Sequence, residues 1–133
     1  MVYYVAIDRS VFESILIHSK ASHPSEGILL LRGRIEKDKI VIHEVVIPPF
    51  AIRGHSYSSF PLNMLPIDFS IVGTAHSHPS GILRPSVKDL NNFYSKIMII
   101  ATHPYGSEQD MAIFDRAGNI LRFEINDSQS LKT

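Results

Sequence analysis

The stretch that decides the fold is Ser70-Ile-Val-Gly-Thr-Ala-His-Ser-His-Pro79. Residues 70–75, with Ile71, Val72 and Thr74, predict a central strand that runs into the His76–Pro79 segment. Alternate residues of a strand point to the same face about 7 Å apart, so His76 and His78 can converge on one ion if the strand end bends slightly. We therefore expect chemistry at a strand end.

Six residues separate Pro79 from Ser86-Val-Lys-Asp89, which opens a predicted helix through about Tyr94 or Ser95. Two imidazoles and the Asp89 carboxylate would give three protein ligands, and this incomplete tetrahedron distinguishes catalytic from structural zinc sites. Two structural alternatives stay open. The histidines could be exposed loop residues, and Ser86 with Asp89 also has the spacing of a helix capping box.

Before this stretch, residues 2–7 predict a strand that passes directly into a helix. Ser10 and Glu13 have capping-box spacing, and the helix is predicted to end near Ala21. Its apolar stripe is Val11, Phe12, Ile15, Leu16 and possibly Ser19. Residues 26–33 and 39–48 predict a hairpin across the polar turn 36–38. Residues 49–66 have no periodicity and are interpreted as a substrate-side loop.

After the stretch, residues 96–102 predict a buried strand. Residues 111–114 and 119–125 predict a second hairpin across 115–118. This order of elements predicts an α+β fold, a mixed β-sheet flanked by helices in a single domain over residues 1–126. Residues 127–133 are predicted to be a frayed tail.

Composition narrows the classes of function. The 133 residues suit one domain, and 13 basic residues balance 13 acidic ones, which argues against nucleic acid as a partner. Cysteine is absent, so thiolate nucleophiles and cysteine-rich zinc sites are excluded and His, Asp and Glu remain as ligands. No run approaches the length of a membrane span, and the N-terminus lacks a basic region and a long apolar core, so we expect a cytoplasmic protein without membrane attachment.

Together with Glu26, the His76–Asp89 segment resembles the JAMM motif of MPN-domain metalloproteases. The motif is His-Ser-His-Pro, six residues, then Ser-x-x-Asp, with a distant glutamate on an apolar segment that ends in Gly33. The resemblance extends over nearly the whole chain in element order and size, and implies a cytidine-deaminase-like layered architecture. Gly27 after the acid and Leu29, where a glycine is common, depart from the usual pattern. In isolation, Glu26 would be read as a solvated residue at a strand edge.

The resemblance implies a role for each matched residue. His76, His78 and Asp89 would bind one Zn²⁺ per chain. Glu26 would hold and deprotonate the metal-bound water and pass the proton to the leaving amine, and Ser86 would donate to the oxyanion. His55, in the loop 49–66, is a further candidate for substrate contact.

The implied activity is that of a zinc metalloprotease, a deubiquitinase-like isopeptidase that cleaves after the C-terminal glycine of ubiquitin or a ubiquitin-like modifier. The short connections resemble compact prokaryotic, especially archaeal, members, whose implied substrates are small ubiquitin-like or sulfur-carrier proteins. Two alternatives remain: a hydrolase that processes sulfur carriers or small peptides, and a non-catalytic MPN scaffold subunit. The resemblance also implies possible homo- or hetero-oligomers through MPN surfaces.

Overall fold

The structure is a computed structural model that describes residues 3–48 and 68–127. His55, the loop 49–66 and residues 128–133 lie outside the described residues. The helices are α1 (Arg9–Ser22) and α2 (Val87–Asn91), with a 3₁₀ turn at Glu108–Asp110. The strands are β1 (Tyr4–Asp8), β2 (Ile28–Glu36), β3 (Lys39–Val46), β4 (Ile71–His78), β5 (Ile97–Thr102), β6 (Met111–Asp115), β7 (Ile120–Leu121) and β8 (Phe123–Asn126).

All eight strands form one mixed sheet in the order β7-β6-β5-β4-β2-β3-β1-β8. β4 runs parallel to β5 and antiparallel to β2, so it lies between the two halves of the sheet. Only Arg122 separates β7 from β8, although these strands stand at opposite ends of the order. The sheet therefore curls until its two edges meet at Arg122, whose carbonyl accepts a hydrogen bond from the Val5 amide at 3.0 Å.

Two apolar clusters pack against opposite faces of this sheet. Ile97, Ile99 and Ala101 of β5 join the larger cluster with α1, whereas Met98 and Ile100 join a smaller one under α2. This division follows from the alternation of side chains along a strand. Every residue of β4 and β5 is buried, because both faces of these central strands are covered. We call the two sides the α1 face and the α2 face.

The predicted α+β class and the mixed sheet flanked by helices are confirmed. The stripe of α1 is buried at all five predicted positions, and α1 ends one residue beyond the prediction. The first hairpin and the buried strand β5 are also confirmed. The last strand ends at Asn126, and the next residue, Asp127, forms an ion pair with Arg9 at 2.7 Å.

The predictions for the start of α1, the end of α2 and the strand 119–125 are wrong. Ser10 does not cap α1, because β1 continues to Asp8 and the helix begins at Arg9, which leaves Ser10 inside the first turn. α2 ends at Asn91 rather than near Tyr94, with Asn92 as its C-cap. The predicted strand 119–125 is split, since β7 completes the hairpin with β6 while β8 crosses to pair with β1.

Within the described residues, no helix is long and apolar enough to cross a membrane.

Candidate active site

Strand β4 carries His76 and His78 inside the sheet, whereas the sequence predicted them just beyond a strand end. His76 pairs with Ile100 and His78 with Thr102 of β5. Paired residues of neighbouring strands share a face, and Ile100 belongs to the cluster under α2. Both imidazoles therefore lie on the α2 face, where α2 supplies Asp89.

His78 and Asp89 are in direct contact. The Nε2 atom of His78 lies 3.2 Å from Oδ2 of Asp89, and the two residues are only 8% and 3% exposed. His78 Nδ1 lies 3.0 Å from the carbonyl oxygen of Ile82, so it is Nδ1 that donates a hydrogen there. That bond fixes the ring so that Nε2 faces the carboxylate, as an outer partner fixes the ligating nitrogen of a metal-bound histidine.

The contact between His78 and Asp89 shifts the pKa values of both residues in the directions that favour opposite charges. Burial by itself lowers the pKa of His78, but the hydrogen bonds to Asp89 and Ile82 and the negative charges of Asp89 and Glu26 raise it overall. Burial likewise acts to raise the pKa of Asp89, and the hydrogen bonds from His78 and Ser86 outweigh it and lower that pKa. The contact therefore stabilises a cation beside an anionic carboxylate.

His76 is the most deeply buried titratable residue of the site, at 1% exposure. Its Nε2 atom lies 2.6 Å from Oγ1 of Thr74, the next residue along the same face. Burial lowers the pKa of His76 to about 3, and the positive charge of His78 acts in the same direction while Asp89 opposes it. His76 is therefore a neutral imidazole at pH 7, which is the form that binds a metal.

The residue types of the site fit a zinc ion, and two of the three expected ligands, His78 and Asp89, are in contact. Imidazole nitrogen and carboxylate oxygen are ligands that zinc takes in proteins, and His78 Nε2 and Asp89 Oδ2 stand together at 3.2 Å. Within residues 3–48 and 68–127, however, no group of three or more His, Asp or Glu side chains stands at metal-binding distances. The site thus brings two donors together, while His76 on the same face has Nε2 against Thr74.

Ser86 and Asp89 do form a capping box at the start of α2. The Ser86 side chain accepts a hydrogen bond from the Asp89 amide at 3.0 Å, and Asp89 Oδ2 accepts from the Ser86 amide at 2.8 Å. The structural alternative raised by the sequence is therefore confirmed. It coexists with the contact to His78, because Oδ2 of Asp89 faces both the Ser86 amide and the imidazole.

Glu26 lies two residues before β2, in a short loop, and not on the strand that the sequence predicted. Ile28 pairs with His76 in antiparallel register, so continuing that register by two residues places Glu26 opposite His78. The residue is half-buried. Glu26 lines the same cleft as the donor pair of His78 and Asp89.

That cleft has a volume of about 420 Å³. Its wall includes Glu26, His78 and Asp89 together with the cationic residues Arg84 and Lys88. The remaining lining residues are Ser80, Ile82, Pro85 and Ser86. This volume is within the usual range of ligand-binding clefts.

Comparison with known proteins identifies the family of this chain. Residues 8–117 match the family described as prokaryotic homologs of the JAB domain. This chain belongs to that family. It is 34% identical over 131 residues to a protein of Haloferax volcanii named a probable metalloprotease, with 93% of this chain and 81% of the relative covered.

Two solved structures share the architecture. A JAB1/MPN domain protein from Archaeoglobus fulgidus is 33% identical, with a TM-score of 0.67 over 92% of this chain and 99% of the other. A second, described as a metalloprotease-like zinc site in the proteasome and signalosome, is 28% identical, with a TM-score of 0.64 over 96% of this chain and 100% of the other. The resemblance to JAMM/MPN proteins is confirmed, and the chain is a JAMM/MPN metalloprotease-like domain.

Sequence reasoning missed several residues of this JAB-domain site. Thr74, two residues before His76, contacts its imidazole, and the i, i+2 spacing on one strand could have indicated this. The Ile82 carbonyl and the Ser77 hydroxyl left no signal, because their contacts depend on loop geometry and strand pairing. His55, the candidate for substrate contact, falls outside the described residues.

Proposed function

We propose that this JAB-domain protein is a zinc-dependent isopeptidase or peptidase that cleaves after the C-terminal glycine of ubiquitin or a ubiquitin-like modifier. The observation that carries the proposal is the donor pair of His78 and Asp89 at 3.2 Å, in one cleft with Glu26. We infer that His76, His78 and Asp89 hold the zinc. Bound zinc would supply Lewis acidity, lowering the pKa of water and polarising the scissile carbonyl.

The protein's own groups then move one proton through the reaction. Glu26 takes a proton from the attacking water, whose oxygen bonds to the carbonyl carbon, and delivers it to the amine as the C–N bond breaks. The Ser86 hydroxyl accepts a bond from the Asp89 amide, so its own hydrogen can donate to the carbonyl oxygen as negative charge develops there.

The cleft suits an extended tail that ends in glycine. Such a tail can be held through main-chain hydrogen bonds, and glycine permits close approach of its backbone to the donor pair. The selectivity would then come from contacts with the globular part of the modifier.

A direct test uses zinc-loaded protein with ubiquitin-like fusions joined through either a lysine side chain or a linear peptide bond. Mass measurement of the released modifier should show a free C-terminal glycine, with Glu26→Gln inactive on the same fusions. The matched control is Glu44→Gln, which alters an exposed glutamate on β3 that pairs with Arg32. Absence of cleavage in every fusion, or cleavage at another bond, would contradict the proposal.

A second candidate is a hydrolase that releases a single amino acid or short peptide from a sulfur carrier. It is favoured by Arg84 and Lys88, which line the cleft. Among the described residues, no carboxylate stands at ion-pair distance from either cation. A leaving group with a free carboxylate would complement these charges.

The two candidates differ in their response to these cations. If the leaving group is a single residue, Arg84→Ala with Lys88→Ala should slow release of a C-terminal amino acid and leave release of its amide unchanged. If the leaving group is a folded protein joined through lysine, the double variant should cleave the isopeptide fusion at the wild-type rate.

A further inference from the structure

Ser77 stands between the two histidines of β4 and faces the other way. Alternate residues of a strand point to opposite faces, so the Ser77 side chain lies on the α1 face while His76 and His78 lie on the α2 face. It is 2% exposed. Ser77 therefore has no direct access to the cleft, and any effect on the chemistry must pass through another residue.

The contact of Ser77 is with the residue that follows Glu26. The Gly27 amide donates to Oγ of Ser77 at 2.7 Å, and the Ser77 amide donates to the Gly27 carbonyl at 3.1 Å. In an antiparallel ladder, two residues of a hydrogen-bonded pair exchange both bonds through their main chains. Here one of the two bonds goes to a side-chain hydroxyl.

The bond to the side-chain hydroxyl lies where the ladder between β2 and β4 ends. The last regular pair is Ile28 with His76, and the next pair in the same register is Gly27 with Ser77. One further step would align Glu26 with His78, the two groups that border the cleft. The hydroxyl thus ends the regular pairing one residue before the Glu26 carboxylate.

Gly27 is also confined from the helix side. A Cβ atom at Gly27 would lie 2.8 Å from Oγ of Ser22, the last residue of α1, and 3.5 Å from Oγ of Ser77. The main chain beside Glu26 therefore lies between the end of α1 and the Ser77 hydroxyl.

We propose that Ser77 is a positioning residue. Its hydroxyl accepts a hydrogen bond from the Gly27 amide and so ends the β2–β4 ladder. In this way Ser77 sets the distance of Glu26 from His78. The catalytic part of this inference rests on the proposed role of Glu26 as the base. A base displaced by about 1 Å can lose about 100-fold in rate. Zinc binding should be unaffected, because the donors lie on the opposite face.

The test compares Ser77→Ala, Ser77→Thr and the control Ser19→Ala, which removes a buried hydroxyl from the stripe of α1. For Ser77→Ala we expect one zinc per chain, an about 10- to 100-fold lower kcat and an about unchanged KM. Exchange of the Gly27 amide, followed by NMR in the metal-free protein, should be faster by about tenfold, as loss of one hydrogen bond implies. Ser77→Thr restores both, and Ser19→Ala alters neither.

Three outcomes would overturn the inference: wild-type kcat in Ser77→Ala, unchanged Gly27 exchange, or loss of zinc together with kcat, which would place the effect on the donors. If Ser77→Ala does not fold, Ser77→Cys repeats the test with a weak acceptor of similar size. If the wild type cleaves no fusion, the proposed function fails, and the Gly27 exchange rates alone decide whether Ser77 holds this segment.

Discussion

The two halves of the candidate site are built differently. The donor half consists of His76 and His78 on β4 with Asp89 on α2, and all three side chains are buried. The Glu26 half consists of Glu26 and Gly27, which precede β2 and are partly exposed. A cation site needs donors that are already desolvated and fixed, whereas a group that exchanges protons needs access to water. We therefore infer that the donor half binds the metal and that the Glu26 half transfers the proton.

The largest effect should come from breaking the donor half. His78→Ala removes one donor, and Asp89→Asn removes the charge while an amide oxygen can still accept from the Ser86 amide. We expect zinc affinity to fall by more than the roughly 100-fold typical of losing an outer partner, with no measurable turnover. Equilibrium dialysis with zinc analysis checks this. His43→Ala, on an exposed position of β3, is the control, and zinc-loaded Asp89→Asn would contradict the assignment.

A substitution in the Glu26 half should lower kcat without changing zinc binding or stability. Glu26→Gln keeps the size of the side chain and removes its basicity, so kcat should fall about 100- to 10,000-fold. Zinc content and thermal midpoint should match the wild type. Steady-state kinetics on zinc-quantified samples measure this, and an active Glu26→Gln enzyme would mean that another group is the base.

Ser86 caps α2 and is also the proposed oxyanion donor, so a variant that removes only a helix cap is needed as a control. Ser86→Ala should lower the free energy of unfolding by about 1 kcal/mol through loss of the cap and lower kcat by about 100-fold through loss of the oxyanion donor. Ser107→Ala removes a comparable capping box from the 3₁₀ turn at 108–110 and should cost stability only. Denaturation and kinetics on both variants separate the two effects, and equal turnover in the two would remove Ser86 from the mechanism.

The smallest effect concerns acid stability of the metal-free protein. The unfolded chain protonates His76 below its ordinary pKa of 6.5, whereas burial lowers the pKa of the native residue to about 3. Stability should therefore fall as pH falls through this window, by at most about 1.4 kcal/mol per pH unit. Urea unfolding between pH 6.5 and about 5 measures the slope, and His76→Gln should flatten it. An equal slope in that variant would assign the effect to other groups.

Local patterns were reliable where nothing outside the segment competed with them. Ser86 and Asp89 form the capping box that their spacing predicts, because a loop precedes α2 and leaves the N-cap position open. Ser10 and Glu13 have the same spacing, but β1 runs up to Asp8 and moves the start of α1 forward. Strand pairing, which involves residues far apart in the chain, overrode the local signal.

The candidate site, like the fold, could be predicted only where it depends on local spacing. The donor types and their spacing on β4 could be predicted from the sequence, since alternate strand residues share a face. The position of Glu26 opposite His78 depends on the register of β2 with β4, and the His76 contact with Thr74 depends on side-chain packing. Neither register nor packing can be obtained from the spacing of residues along a single strand.

The most direct test of the division between the halves is removal and return of the metal. Wild-type protein stripped with a chelator should lose cleavage of a ubiquitin-like fusion and recover it with about one equivalent of zinc, whereas Glu26→Gln should rebind the same zinc and remain inactive. Cleavage by metal-free wild type, or recovery of activity by zinc-loaded Glu26→Gln, would contradict the account.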